Sequence, residues 1–385
     1  MKLLRLFCLS GGLVAGLMGG EPSAVSAPGI QSQDTEYPKV VKVGLLIRKQ
    51  GGSDSTWLFA KRGAELAVFK ANENGGYDGR PFKLIVRSIN GLWGSGSREI
   101  VKLVFEDSVR AILSSLDGRS AHLAEQIATK GRVVLVSSRA TDPTLTQINI
   151  PWFFRCIPDD RQQAAALIKE IYQVKQLKQV AIVADETYDA RMAADSFIGI
   201  ATSEGYQAPQ RFSYGASGDD FQKVLDEIGQ TPVEGVVLFG RPSPAVKFIR
   251  KMRARGMEQP LLGPLSLIAG NELLNSVGPE LGNAVFVVSG YQNTPAGKGF
   301  EREFQAVYGS SPDAIAAYAY DGMSLILEAI RRGGLTKGRI REALAGIEYS
   351  RGVTGPIRFD DKGNRMGTVN LMRVIKGRPS VETAE

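Results

Sequence analysis

Histidine and cysteine are almost missing from this 385-residue chain, which has one histidine, His122, and two cysteines, Cys8 and Cys156. Such a set has no Cys/His cluster at metal-ligand spacing, so no metal site is expected. Cys8 lies in an N-terminal apolar run that reads as a removable segment. Cys156 is then alone, which excludes an intramolecular disulfide. It sits within Trp152-Phe153-Phe154-Arg155-Cys156-Ile157 and reads as a buried structural thiol. There is no Gly-x-Ser-x-Gly nucleophile elbow and no Gly-x-x-x-x-Gly-Lys phosphate loop, and no cofactor or enzymatic activity is expected. A concentrated basic block is also lacking. The net charge of +7 comes from 47 basic and 40 acidic residues spread along the chain, without the Lys/Arg clusters and interleaved aromatics that a nucleic-acid partner requires.

What is present begins with Lys2 and Arg5, the apolar run Leu6 to Met18, and the small residues Ser23-Ala24-Val25-Ser26-Ala27. This is the layout of a secretory signal peptide, residues 1–27, cleaved after Ala27. The apolar run is short for a membrane span, and no second one reaches spanning length. Residues 28–39 read as a polar, flexible leader. The mature protein is expected to be exported and soluble, in a periplasmic or extracytoplasmic compartment. Its length suits two domains.

The centre of the pattern runs from Val109 to Asp160. A buried-strand run, Val109 to Leu113, leads into the polar loop Ser114 to Ser120. A helix over Ala121 to Thr129 and a strand over Arg132 to Val136 follow, then a second polar loop, Ser137 to Pro143. Ligands of parallel sheets bind in the crevice at the carboxyl ends of the strands, where these two loops fall side by side. They offer hydroxyls, backbone N–H groups, Arg119 and Arg139. Before this unit lie a strand over Val40 to Ile47, a helix from Trp57 to Asn72 and a strand from Phe82 to Arg87. After Asp160 the alternation restarts, with strands at Gln179 to Val183, Gln210 to Tyr214, Gly235 to Phe239, Pro260 to Gly263 and Ala284 to Ser289. Near the end, Gly355 to Phe359 and Thr368 to Ile375 flank Asp360-Asp361-Lys362-Gly363-Asn364, which reads as a β-hairpin. The fold class is α/β with mainly parallel strands, too many for one ordinary sheet, hence two doubly wound lobes.

Several segments carry a resemblance. They are Gly63-Ala64-Glu65-Leu66-Ala67, Asn72-Glu73-Asn74-Gly75-Gly76-Tyr77-Asp78-Gly79-Arg80, Val136-Ser137-Ser138-Arg139-Ala140-Thr141-Asp142-Pro143, Phe154-Arg155 with Pro158-Asp159-Asp160, and Ala317-Tyr318-Ala319-Tyr320-Asp321. In order and spacing, over about residues 40 to 375, the chain resembles type I periplasmic binding proteins, in particular the leucine/isoleucine/valine-binding receptors of ABC transporters. The resemblance implies two lobes joined by three crossovers near Pro158, Ser289 and Gly352. One lobe would hold residues 40–158 plus 290–351, the other 159–289 plus 352–380. It also implies a small-molecule ligand, an amino acid or organic carboxylate, delivered to an inner-membrane ABC permease. A sensory or accessory binding subunit without a transport role is the rival.

By the same resemblance, Gly118, Arg119 and Ser120 would grip a ligand carboxylate, and Arg139, Ala140 and Thr141 would supply the second loop. Asp160 would help hold a ligand ammonium, while also suiting a helix cap. Tyr188 matches a cleft aromatic, and Trp57, beside Thr56, lies where an aromatic closes the first lobe. The sequence also departs from the pattern. Gly263-Pro264 is followed by Leu265 instead of an acid, Arg241-Pro242 replaces a tyrosine, and Arg139 replaces a small residue. The cleft is therefore expected to have lost acid and gained arginine, favouring an anionic ligand. His122 is expected on a helix surface.

Overall fold

The computed structural model describes residues 38–49, 55–89, 95–215, 218 and 220–380; the signal peptide, nearly all of the leader and the Gly51 to Asp54 loop lie outside them. From Lys39 onward the chain forms one compact unit containing two sheets. The first has five strands, β1 (Val41–Ile47), β2 (Phe82–Ser88), β3 (Ala111–Ser115), β4 (Val134–Ser137) and β5 (Phe153–Arg155), all parallel in the order β2-β1-β3-β4-β5. The second has seven, β6 (Val180–Asp185), β7 (Gln210–Tyr214), β8 (Gly235–Phe239), β9 (Leu261–Gly263), β10 (Ala284–Val288), β11 (Asn370–Ile375) and β12 (Arg378–Ser380), in the order β12-β11-β10-β9-β8-β6-β7. Every residue of β3, β4, β6 and β8 is buried. Parallel strands covered by helices on both faces need this continuous Val/Ile/Leu character, and the alternating pattern of a half-exposed strand would not serve.

The helices are α1 (Thr56–Glu73), α2 (Ser95–Val101), α3 (Gly118–Lys130), α4 (Asp160–Ile168), α5 (Tyr188–Ser203), α6 (Phe221–Gly229), α7 (Pro242–Ala254), α8 (Glu272–Val277), α9 (Pro295–Tyr308), α10 (Ala314–Gly333) and α11 (Lys337–Ala345). After β10 the chain returns to the first sheet. There α10 packs along α1, and a Cβ on Gly63 would lie 2.2 Å from the Ala316 carbonyl oxygen, so only glycine permits that approach. Cys156 is the buried thiol that the sequence suggests; burial pushes it up to about 12. The architecture is therefore a two-lobed α/β fold with mainly parallel sheets.

The sequence reading needs correction at α3 and at the expected hairpin. Helix α3 starts at Gly118, because the Asp117 carboxylate caps it by accepting Ser120 N–H at 2.9 Å; Gly118, Arg119 and Ser120 form its first turn, not a loop. Helix α7 starts at Pro242, a residue pre-set for a first helical turn, leaving Arg241 as its N-cap. The expected hairpin does not form. Asn370–Ile375 pairs antiparallel with β10 on one side and β12 on the other, while Gly355 to Phe359 contributes only isolated bridges, Tyr349 with Ile357 and Phe359 with Arg365. The edge of β10 offers a full row of backbone partners, and the Asp360 turn is held by its own side chain, which accepts Lys362 and Asn364 N–H.

Candidate functional site

The crevice elements are the carboxyl ends of β3 and β4 in the first sheet and of β6 and β8 in the second. The strand order reverses direction between β1 and β3 in the first sheet, with β4 next to β3, and between β6 and β8 in the second, and such reversals are the usual ligand position in doubly wound sheets.

The first turn of α3 is tied down from within. Ser120 is buried and donates both its N–H and its hydroxyl to Asp117, at 2.9 and 3.0 Å. Arg48 pairs with Asp117 at 2.9 Å and reaches Ser120 Oγ at 3.3 Å. Burial works against the Asp117 charge, but these donors hold its carboxyl below the ordinary value. The Gly118 N–H points the other way and donates to Asp189 Oδ1 at 3.0 Å. Arg119 is exposed and lies over the Tyr188 ring at 5.3 Å.

The second loop is braced from below by Arg155, which is fully buried. Its guanidinium donates to the carbonyls of Asp142 at 2.8 Å and Ala140 at 3.5 Å and to Thr146 Oγ1 at 3.3 Å. Ala140 is buried and its N–H is taken by Ser137 Oγ at 3.1 Å. Arg139 is half-buried and donates to Thr56 Oγ1 at 3.3 Å, joining this loop to the start of α1. Thr141 accepts the Asp160 N–H on its carbonyl at 2.9 Å and bonds the Asp160 carboxyl through its hydroxyl.

Asp160 is a carboxylate with unmet capacity, as is Glu125 beside His122. Asp160 is 4% exposed, and its Oδ2 has no partner. Burial above all raises its carboxyl to about 7; Thr141 and Arg155 oppose the rise, while the nearby Asp189 and Asp159 charges add to it. Ser114 at the end of β3 is likewise fully buried with an unpartnered hydroxyl oxygen. Buried polar atoms are normally satisfied, and while Glu125 Oε1, Thr129 Oγ1, Arg155 Nε and Gln259 Oε1 also lack a partner, Ser114 and Asp160 are the ones at the end of β3 and the start of α4.

On the second sheet's side, the Tyr188 hydroxyl donates to Asp142 Oδ2 at 2.7 Å. His122 is half-buried and turned inward, contrary to the surface position expected for it. Its Nε2 lies 2.9 Å from the same Asp142 oxygen and 3.1 Å from Thr144 Oγ1, which assigns the proton to Nε2. The bond to Asp142 raises the His122 pKa. Arg241 is exposed at its tip and committed to Asp185, donating to Oδ2 from its backbone N–H at 3.0 Å and from Nε at 3.1 Å. Trp57 is half-buried against the first core, with Lys49 Nζ 4.6 Å from its ring centroid.

The structure thus brings Gly118, Arg119, Tyr188, Thr141 and Asp160 into one connected region with Asp142, whereas Arg119, Arg139 and Arg241 each meet a different partner. Asp189, overlooked in the sequence, adds a carboxylate beside Gly118. A residue in Thr187-Tyr188-Asp189 reads as an ordinary first-turn acid of α5. Only its adjacency to Tyr188 could have flagged it.

A family model described as periplasmic binding protein matches residues 40–379. The chain is 24% identical to a Leu/Ile/Val-binding protein homolog 2 of Brucella abortus, over 79% of this chain and 82% of that protein. Among solved structures, it superposes with TM-score 0.78 on the branched-chain amino acid transporter substrate-binding protein LivJ of Streptococcus pneumoniae in complex with isoleucine. That pair is 24% identical, covering 89% of this chain and 98% of the other. It matches an R. palustris ABC-transporter solute-binding protein in complex with benzoate at TM-score 0.76 and 20% identity, covering 89% and 95%.

Proposed function

The chain belongs to the periplasmic binding protein family, and from that premise we propose that it captures a small ligand in the crevice between its two sheets and delivers it to an ABC permease. The family consists of solute-binding proteins, which are not enzymes, and its members are extracytoplasmic. Export of this chain through cleavage after Ala27 belongs to the same proposal, as do lobes of residues 40–158 plus 290–351 and 159–289 plus 352–380. In that division the strands of each sheet fall within a single lobe.

The observation that carries the reading is the buried, unpartnered Asp160 Oδ2. A ligand ammonium, amide or hydroxyl would satisfy it, and an isolated buried acceptor is costly otherwise. Arg139, in the neighbouring loop, suits an oxygen-rich group such as a carboxylate. Together they fit an amino-acid-like molecule or a hydroxylated or amidated organic acid. Gly118, Arg119, Ala140, Thr141, Tyr188, Trp57, Ser120 and Arg241 frame the crevice, the last two through the helix starts that they hold.

Thermal unfolding of residues 28–385 against amino acids, organic acids, aromatic acids and amides tests this. A ligand at a hundred times its Kd stabilises by about 2.7 kcal/mol, which moves the midpoint by several degrees. At least one compound is expected to do so and to lose the effect in Asp160→Asn. If no compound shifts the midpoint, the ligand reading is abandoned.

A further inference from the structure

The first turn of a helix carries N–H groups with no partner inside the helix, and this makes it attractive to anions. In α3 one of those groups is already taken from across the crevice: Gly118 N–H donates to Asp189 Oδ1 at 3.0 Å. The approach depends on the missing side chain. A Cβ on Gly118 would lie 2.8 Å from Asp189 Oδ1, 3.1 Å from Asp142 Cβ and 3.3 Å from Tyr188 Cε1. The residue before Asp189 makes a second bridge in the same direction, Tyr188 to Asp142 Oδ2. Asp142 follows Thr141, whose carbonyl accepts the Asp160 N–H at 2.9 Å, so Asp160, with its unpartnered buried oxygen, lies in the same stretch of the site, and Arg139 comes two residues before Thr141 in that loop.

We propose that Asp189 is a specificity-determining residue whose carboxylate fills the amide at the start of α3, so that this end of the crevice rejects a ligand carboxylate and selects an amide, hydroxyl or ammonium. The proposal rests on the ligand reading above. Two carboxylates cannot share one N–H, because their lone pairs face each other and their charges repel. A donor-bearing group, in contrast, bonds Asp189 and Asp160 Oδ2 together. Burial, followed by the Asp117 charge, raises Asp189 to about 6, which still leaves it ionised at neutral pH.

The test uses the full mature chain and two variants, Asp189→Ala and Asp189→Asn. In the parent, Gly118 N–H has Asp189 as its acceptor, so its hydrogen exchange is expected to be slow and to speed up at least tenfold in Asp189→Ala. Unchanged exchange overturns the proposal without reference to any ligand. Calorimetry then compares two matched pairs, benzoate with benzamide and L-leucine with L-leucinamide. The parent is expected to prefer the amide of a pair. Asp189→Ala raises the acid-to-amide affinity ratio at least tenfold, with Asp189→Asn in between. If Asp189→Ala does not fold, Asp189→Asn, which keeps the shape, carries the comparison. Binding with a ratio that stays within twofold sinks the role of Asp189 but leaves the ligand site standing. Failure of every variant to bind any of the four probes also sinks it, and the wider thermal panel then decides the ligand reading separately.

Discussion

Asp160 and Asp185 are both buried aspartates at crevice ends, one opening α4 beside the first sheet and one closing β6 in the second. Asp185 is fully committed. Its Oδ1 accepts from Thr187 N–H at 2.9 Å and from the Thr187 hydroxyl, and its Oδ2 accepts from Arg241 N–H and Nε. Asp160 has Thr141 on its carboxyl and nothing on Oδ2. The same side chain, equally hidden from water, is a structural brace in one place and an open valence in the other. The difference lies in the donors around it and not in burial. A saturated carboxylate organises its own loops, whereas an unsaturated one is stable only if something completes it.

The largest effect is expected from Asp185→Ala, which strands the Thr187 and Arg241 backbone donors and unties two helix starts. Stability should fall by about 2–4 kcal/mol in urea unfolding, with the slope unchanged. A loss below about 1 kcal/mol would mean that saturation is incidental and the contrast with Asp160 empty.

Asp160→Asn should do the reverse to the unliganded protein. A carboxyl raised to about 7 by burial contributes stability that is complete below its ordinary value near 4 and lost as pH rises through 7. Removing the charge should therefore raise the midpoint at pH 8 by a few degrees, on the order of 2 kcal/mol, and do little at pH 4. Equal shifts at both pH values would count against an open valence.

The smallest effect concerns Asp142, a third aspartate, whose carboxyl burial pushes up but which His122, Thr144 and Tyr188 hold well below the ordinary range. His122→Ala removes one of these donors. The His122 pKa is raised by Asp142, so its contribution is complete below about 6.5 and lost as pH rises through the higher folded value. A cost of about 0.5–1 kcal/mol at pH 5.5, discounted because the ring is 32% exposed, should shrink by pH 8.5. A cost independent of pH would place His122 with packing and not with charge.

How much of this was legible differs by level. The strands were readable because parallel strands buried on both faces carry continuous apolar runs such as Ala111-Ile112-Leu113 and Val236-Val237-Leu238. The final hairpin was misread because Asp360 to Asn364 is a true turn signal, while the choice of strand partner depends on which sheet edge is free. At the candidate site, Asp160 and Tyr188 could be singled out in advance as candidates. Asp189 and the inward turn of His122 could not, since their partners Gly118 and Asp142 are 71 and 20 residues away.

By itself, the sequence determined the class of protein: a two-lobed α/β chain of the periplasmic binding protein family. Those features follow from local periodicity, turn chemistry and the order of short segments, all of which are written along the chain. Only the tertiary structure decided which charges meet. It committed Arg241 to Asp185, spent Gly118 N–H on Asp189 and left Asp160 Oδ2 open. Whether a buried carboxylate is paired depends on donors within about 3 Å, and those come from segments that only folding brings together.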